Sequence, residues 1–147
     1  MIARRARSAL LLLVGVVLVA LAGCGADAAE QPTLGPREVT VELGVEHSFF
    51  DDEALRVVEG TTVHFVVDNT DPIGHELIVG PPEVHERHAS GTHAAHGTVD
   101  GEVSVGANTQ ARTTYRFDEV GTVEFACHLP GHYEHGMHGE VEVVRRG

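Results

Sequence analysis

Apolar and polar residues alternate in short runs along most of the chain. Val39, Val41 and Leu43 alternate with Glu38, Thr40 and Glu42, and Val63, Phe65 and Val67 with Thr62, His64 and Val66. The pattern returns at Ala111, Thr113, Tyr115 and Phe117, at Val123, Phe125 and Cys127, and at Val141 and Val143. A period of two sends successive side chains to opposite faces of a strand, one of them buried. Shorter runs at 55–58, 75–79 and 102–105 offer three further strands. Turn-forming residues separate the runs at Glu59-Gly60, Asn69 to Gly74, Gly106-Ala107-Asn108 and Asp118 to Gly121. No long helical periodicity appears beyond residue 36. Seven or eight short strands over residues 37–147 predict an all-β domain, a sandwich or a small barrel.

The first segment follows other rules. Arg4, Arg5 and Arg7 precede residues 9–22, which carry no charged or polar side chain. As a helix this stretch would be only about 21 Å long, against about 30 Å of bilayer hydrocarbon. That length suits a secretory signal better than a transmembrane span. It ends in Leu21-Ala22-Gly23-Cys24, which resembles the lipobox of bacterial lipoproteins, whose cysteine is lipidated and becomes the first mature residue. The expected organisation is therefore a signal peptide over 1–23, a lipidated tether over 24–36 and one domain over 37–147. The expected location is the outer face of the cytoplasmic membrane of a bacterium.

Charge narrows the range of partners. The whole chain has a formal net charge of −12 and contains no lysine. Without the three leading arginines, seven arginines face 22 acidic residues, a formal charge of −15. Such a domain is repelled by nucleic acid and by anionic headgroups and is drawn to basic protein patches.

The chain has two cysteines, Cys24 and Cys127. If Cys24 carries lipid, Cys127 is a lone thiol in an oxidising compartment, and a metal is its economical occupant. His75 shares parity with Leu77 and Val79, and Cys127 with Val123 and Phe125, so both are expected to point inward. Downstream stands Cys127-His-Leu-Pro-Gly-His132-Tyr-Glu-His-Gly-Met137, a C-x4-H-x4-M spacing that leads into a last strand at 139–144. Cu(I) favours thiolate and thioether and Cu(II) favours imidazole; a trigonal site of two histidines and a cysteine with a weak axial methionine serves both.

The stretch from Gly121 to Val144 resembles the ligand loop of cupredoxins, in the spacing of rusticyanin- and auracyanin-like proteins. Asn69 to Gly80 (NTDPIGHELIVG) is similar to the strand end that supplies their first histidine. The resemblance implies an eight-stranded Greek-key sandwich holding one type 1 copper. His75, Cys127 and His132 would be its equatorial ligands, Met137 its axial ligand, and the edge of His132 its electron port. Three positions depart from the pattern. Glu76 stands where the family often has Asn or Ser, a residue that pins the two ligand loops together. Val123 replaces an aromatic residue, and His128 directly follows the cysteine. His128 is read as pointing away from the copper, along the strand end.

Residues 81–98 (PPEVHERHASGTHAAHGT) read as a polar loop inserted between strands. His85, His88, His93 and His96 there could serve an auxiliary copper or zinc, or could simply ride on a solvated loop. Gly91 and Gly97 argue against a fixed helix-borne site. Together with His135 and His138 near the copper loop, these histidines could also make the surface more positive as pH falls below about 6.5. His47 and His64 read as ordinary strand-surface positions.

Three functions are weighed. The first is a copper protein carrying single electrons between membrane or extracytoplasmic redox proteins with basic docking faces. The second is a copper-binding lipoprotein that stores or delivers the metal. The third, catalysis in the manner of a nitrite reductase or oxidase, finds no open metal site or acid–base pair in one domain, and the chain is expected not to be an enzyme.

Overall fold

The computed structural model describes residues 32–35, 37–91 and 99–147. Two sheets face each other. One has six strands in the order β1 (Thr33–Leu34), β4 (Ala54–Val58), β10 (His138–Val144), β9 (Gly121–Ala126), β6 (His75–Gly80) and β7 (Glu102–Val105). The other has four: β3 (Phe49–Phe50), β2 (Glu38–Glu46), β5 (Thr61–Asn69) and β8 (Thr109–Phe117). Every strand expected from alternation is present. The two-residue β1 and β3, too short to show a period, bring the total among the described residues to ten. The chain crosses between sheets, so that β6 lies beside β9 and β5 beside β8, which gives the expected Greek-key sandwich.

The core lies between the two inner faces. Leu43, Val63, Phe65 and Val67 from the smaller sheet meet Val57, Leu77, Phe125, Val141 and Val143 from the larger. Phe125 is fully buried, and its ring takes the edge of Phe50 at a centroid distance of 5.4 Å. Truncating such a side chain to alanine costs about 3–5 kcal/mol.

Strand β6 is buried along its whole length, on both faces. The inner face is the core. The outer face is covered by α1 (Pro82–Ala89), which occupies part of the segment expected to be a loop. The helix has no apolar stripe because two histidines, His85 and His88, form much of its buried face. Their polarity conceals its period. A proline in the first turn suits a helix start, and Gly80 lets the helix lie close, since a Cβ there would stand 3.1 Å from Val84.

Two long-range contacts tie α1 to β7. Glu102 accepts a bond from Arg87 Nη2 at 2.6 Å and approaches His88 Nε2 at 3.3 Å. Burial pushes the Glu102 carboxyl up, but the hydrogen bonds and charges of His88 and Arg87 outweigh it and hold the group below its ordinary range. A depressed carboxylate adds stability above its unfolded pKa and loses it as pH falls through the folded value. Arg87 is half exposed, which weakens its share. Glu102→Gln should therefore lower the unfolding free energy at pH 7 by about 1–3 kcal/mol. The gap should narrow as pH drops below about 4.3. Urea denaturation of both chains at several pH values reads this; a gap independent of pH would rule out the ionic contribution.

Candidate metal centre

The site grows out of strand register. β6 and β9 run antiparallel with Ile78 opposite Ala126, so the start of one lies at the end of the other. This brings His75 and Cys127 to one pole of the sandwich. β9 and β10 pair with Ala126 opposite His138, and the Cys127 N–H donates to the Met137 carbonyl at 3.0 Å. The segment from Cys127 to Met137 is thus a hairpin loop whose two ends are locked together.

Inside that loop the chain makes one short helical turn, α2 (His132–His135), flanked by Gly131 at φ +85° and Gly136 at φ +106°. Both values lie in the left-handed region that glycine adopts without strain. The His132 N–H donates to Leu129 and the Met137 N–H to the His132 carbonyl, at 2.9 and 3.0 Å. Backbone bonds of the loop itself thus set where His132 and Met137 stand.

The donor atoms converge. His75 Nδ1 lies 3.2 Å from His132 Nδ1, and Cys127 Sγ lies 3.3 Å from the same nitrogen. The three donor atoms all fall within 4.8 Å of one another. Ligands about 2.0–2.3 Å from a shared ion stand roughly 3–4 Å apart at open bond angles, so the spacing fits a single metal. Cys127 and Met137 are fully buried, His75 nearly so, and His132 is half-buried at the surface of the pole.

Electrostatics prepares each donor. Burial pushes the Cys127 thiol up to about 11, the carboxylate of Glu76 adds to this, and backbone hydrogen bonds from Leu129 and Glu76 act in the opposite direction. Metal binding must therefore displace a proton. Burial, then the neighbouring His75, lowers the His132 pKa and keeps that ring neutral and able to donate a lone pair. His75 is oriented from behind, its Nε2 donating to Asp71 Oδ2 at 2.9 Å, which leaves Nδ1 as the ligand atom.

Asp71 was not singled out by the sequence. Its carboxylate also accepts the N–H groups of His47 at 2.7 Å and Ser48 at 2.8 Å. Burial raises its pKa, yet those bonds and His75 prevail and hold it low. The only sequence signal was an acid four residues before a candidate ligand. Glu76, whose departure from Asn or Ser put the pin between the ligand segments in question, keeps it, since its Oε1 accepts the His128 N–H at 2.9 Å and joins the two segments.

The remaining candidates divide. His85 and His88 are buried on α1, not exposed on a loop, and thus are helix-borne despite Gly91. They gather with His128, which does point away from the core: His85 Nδ1 stands 2.9 Å from His128 Nε2. His93, His96 and Cys24 lie outside the described residues. His47 sits in an exposed turn at φ +56° and not on a strand, because Asp71 holds that turn from within. His64 is on β5 and bonds Thr114 across to β8.

Replacing Asp71 by Asn keeps the shape but removes the carboxylate behind His75. The expected result is a 10–100-fold loss of copper affinity with the fold retained. Competition with a chelator of known affinity measures it, with circular dichroism as the check on folding.

A family model described as copper binding proteins of the plastocyanin/azurin family matches residues 37–144. A copper-resistant cuproprotein CopI of Rubrivivax gelatinosus is 36% identical over 97 residues, which cover 64% of this chain and 59% of that protein. The CopI of Pseudomonas aeruginosa is 29% identical over an alignment spanning 97% of this chain and 99% of its own. Among solved structures, auracyanin A of Chloroflexus aurantiacus, a blue copper protein, superposes with a TM-score of 0.59 at 25% identity, covering 73% of this chain and 99% of its own. The chain belongs to the plastocyanin/azurin family of copper-binding proteins, and His75, Cys127, His132 and Met137 form its type 1-like copper site.

Proposed function

We propose that this chain carries single electrons through its type 1 copper, at the outer face of the cytoplasmic membrane, where a lipid on Cys24 would tether it. The supporting observation is a donor set whose positions are fixed by backbone and carboxylate bonds: the hairpin closure at Cys127 and Met137, and the Asp71 bond behind His75. Copper, when bound, supplies a one-electron couple. A cage held by the fold has little to rearrange between oxidation states, and slow rearrangement is what would make an exchange sluggish. His132 alone among the three equatorial donors is half-buried and not sealed, so it offers the short path to a partner. In this reading the chain transforms no substrate.

Partners would be extracytoplasmic or membrane redox proteins with basic faces, drawn by the acidic surface. Stopped-flow reduction by a basic cytochrome-type donor tests the reading. The copper-loaded chain should show an intense visible band that bleaches in one reversible one-electron step, with a rate that falls steeply as salt rises. Cys127→Ser should abolish the band. A copper that binds but cannot cycle reversibly would defeat the proposal.

A second reading, copper storage or delivery, draws on the CopI relatives, which are described as copper-resistant. It expects Cu(I) to pass to an apo-acceptor faster than the chain exchanges electrons with any donor.

A further inference from the structure

We propose a second metal site, for Cu(II), held by His85 Nδ1 and His128 Nε2 on the opposite side of β9 from the type 1 ligands. The two nitrogens stand 2.9 Å apart. Nitrogens each about 2.0–2.1 Å from one ion come to about 2.9 Å when their bonds meet at roughly 90°, the angle of a tetragonal copper site. The contact resembles the one at the first site, where the nitrogens of His75 and His132 approach to 3.2 Å.

The surroundings prepare these rings as ligands. His85 Nε2 faces two carbonyl oxygens, Gly80 at 3.1 Å and Glu124 at 3.2 Å. Carbonyls only accept, so Nε2 carries the proton and Nδ1 presents its lone pair to His128. That is the arrangement by which proteins fix the tautomer of a metal-binding histidine. The His128 ring is fixed on its other side by Tyr133, stacked within 10° at 5.2 Å, and the Tyr133 hydroxyl donates to Glu124 at 2.7 Å. Its backbone is held by Glu76.

His88, one turn along α1 from His85, lies 6.2 Å from the His128 ring and nearly parallel to it, and Glu102 backs its Nε2 at 3.3 Å. It lines the same cleft and offers a further imidazole there. The cleft, about 680 Å³, opens between α1 and the loop at Leu129 and Pro130, which gives an ion a way in. Imidazole donors suit copper, nickel and zinc, and the divalent series places copper highest.

A hydrogen bond between two bare imidazoles is the competing outcome, and metal counting separates the two. The full chain, already loaded at the type 1 site, is titrated with Cu(II), desalted, and read by metal analysis and electron paramagnetic resonance. A second copper per chain is expected, with the wide hyperfine splitting of a tetragonal site and no new intense visible band. His85→Gln and His128→Gln should each lower the count by one, or weaken the second equivalent by about 100-fold, with the visible band unmoved. The paired change His93→Gln with His96→Gln should leave the count at its original value. Should His128→Gln disturb the neighbouring thiolate, His85→Gln decides. A single copper in the unaltered chain, or a second copper that survives His85→Gln, would overturn the site. The visible band reports the type 1 centre separately, so failure of one site is not mistaken for failure of the other.

Discussion

A sulfur that the protein keeps dry is the constraint on which the rest of this structure depends. Cys127 is fully buried, and its thiol is pushed up to about 11, so the ionised form needed by a metal is disfavoured by the interior around it. The other features of the pole act to reverse that bias once an ion is present. His132 is kept neutral, His75 has its ligand nitrogen freed by Asp71, and backbone N–H groups of Leu129 and Glu76 point to the sulfur. Their positions come from the β6–β9 register and from a hairpin closed on its own carbonyls.

Asp71 extends that constraint beyond the pole. Two non-glycine residues, His47 and Ser48, adopt left-handed backbone at φ +56° and +61°, a conformation costing roughly 1–2 kcal/mol each. Both donate their N–H groups to the Asp71 carboxylate. One buried carboxylate therefore holds a strained turn between β2 and β3 and orients a metal ligand at the start of β6. Asn69 fixes Asp71 in turn, its Oδ1 accepting the Asp71 N–H at 2.9 Å while its amide donates to Ile73 and Gly106. The polar network and the metal pole are one structural unit, built from residues far apart in sequence.

Much of this was legible in the residues alone. Strand alternation located five of the eight substantial strands, because each buries one face against the opposing sheet, and shorter apolar runs marked the other three, among them β6, whose period is lost because both of its faces are buried. Parity placed His75 and Cys127 inward, and the C-x4-H-x4-M spacing marked the loop. What escaped notice shares a physical cause. The α1 helix buries histidines where a helix ordinarily buries aliphatic residues, so its period had no hydrophobic signal. Asp71 acts through hydrogen bonds spanning 23 and 24 residues, and no local pattern encodes such distance. His128 was correctly read as facing away from the core; what it faces depended on a helix the pattern did not show.

The pairing of Cys127 with His128 gives strand geometry a chemical consequence. Consecutive residues at the end of β9 project to opposite faces, so one step along the chain passes from the sealed interior to the cleft beneath α1. Glu76 sits at that boundary. Its backbone faces the sulfur, and its carboxylate holds the next residue's N–H. A neutral Asn or Ser could make the same bond without bringing a negative charge. The carboxylate adds to the burial that raises the thiol pKa here. At this position the hydrogen bond accounts for how the loops are joined, while the charge, which the bond does not require, works with that burial to keep the thiol protonated.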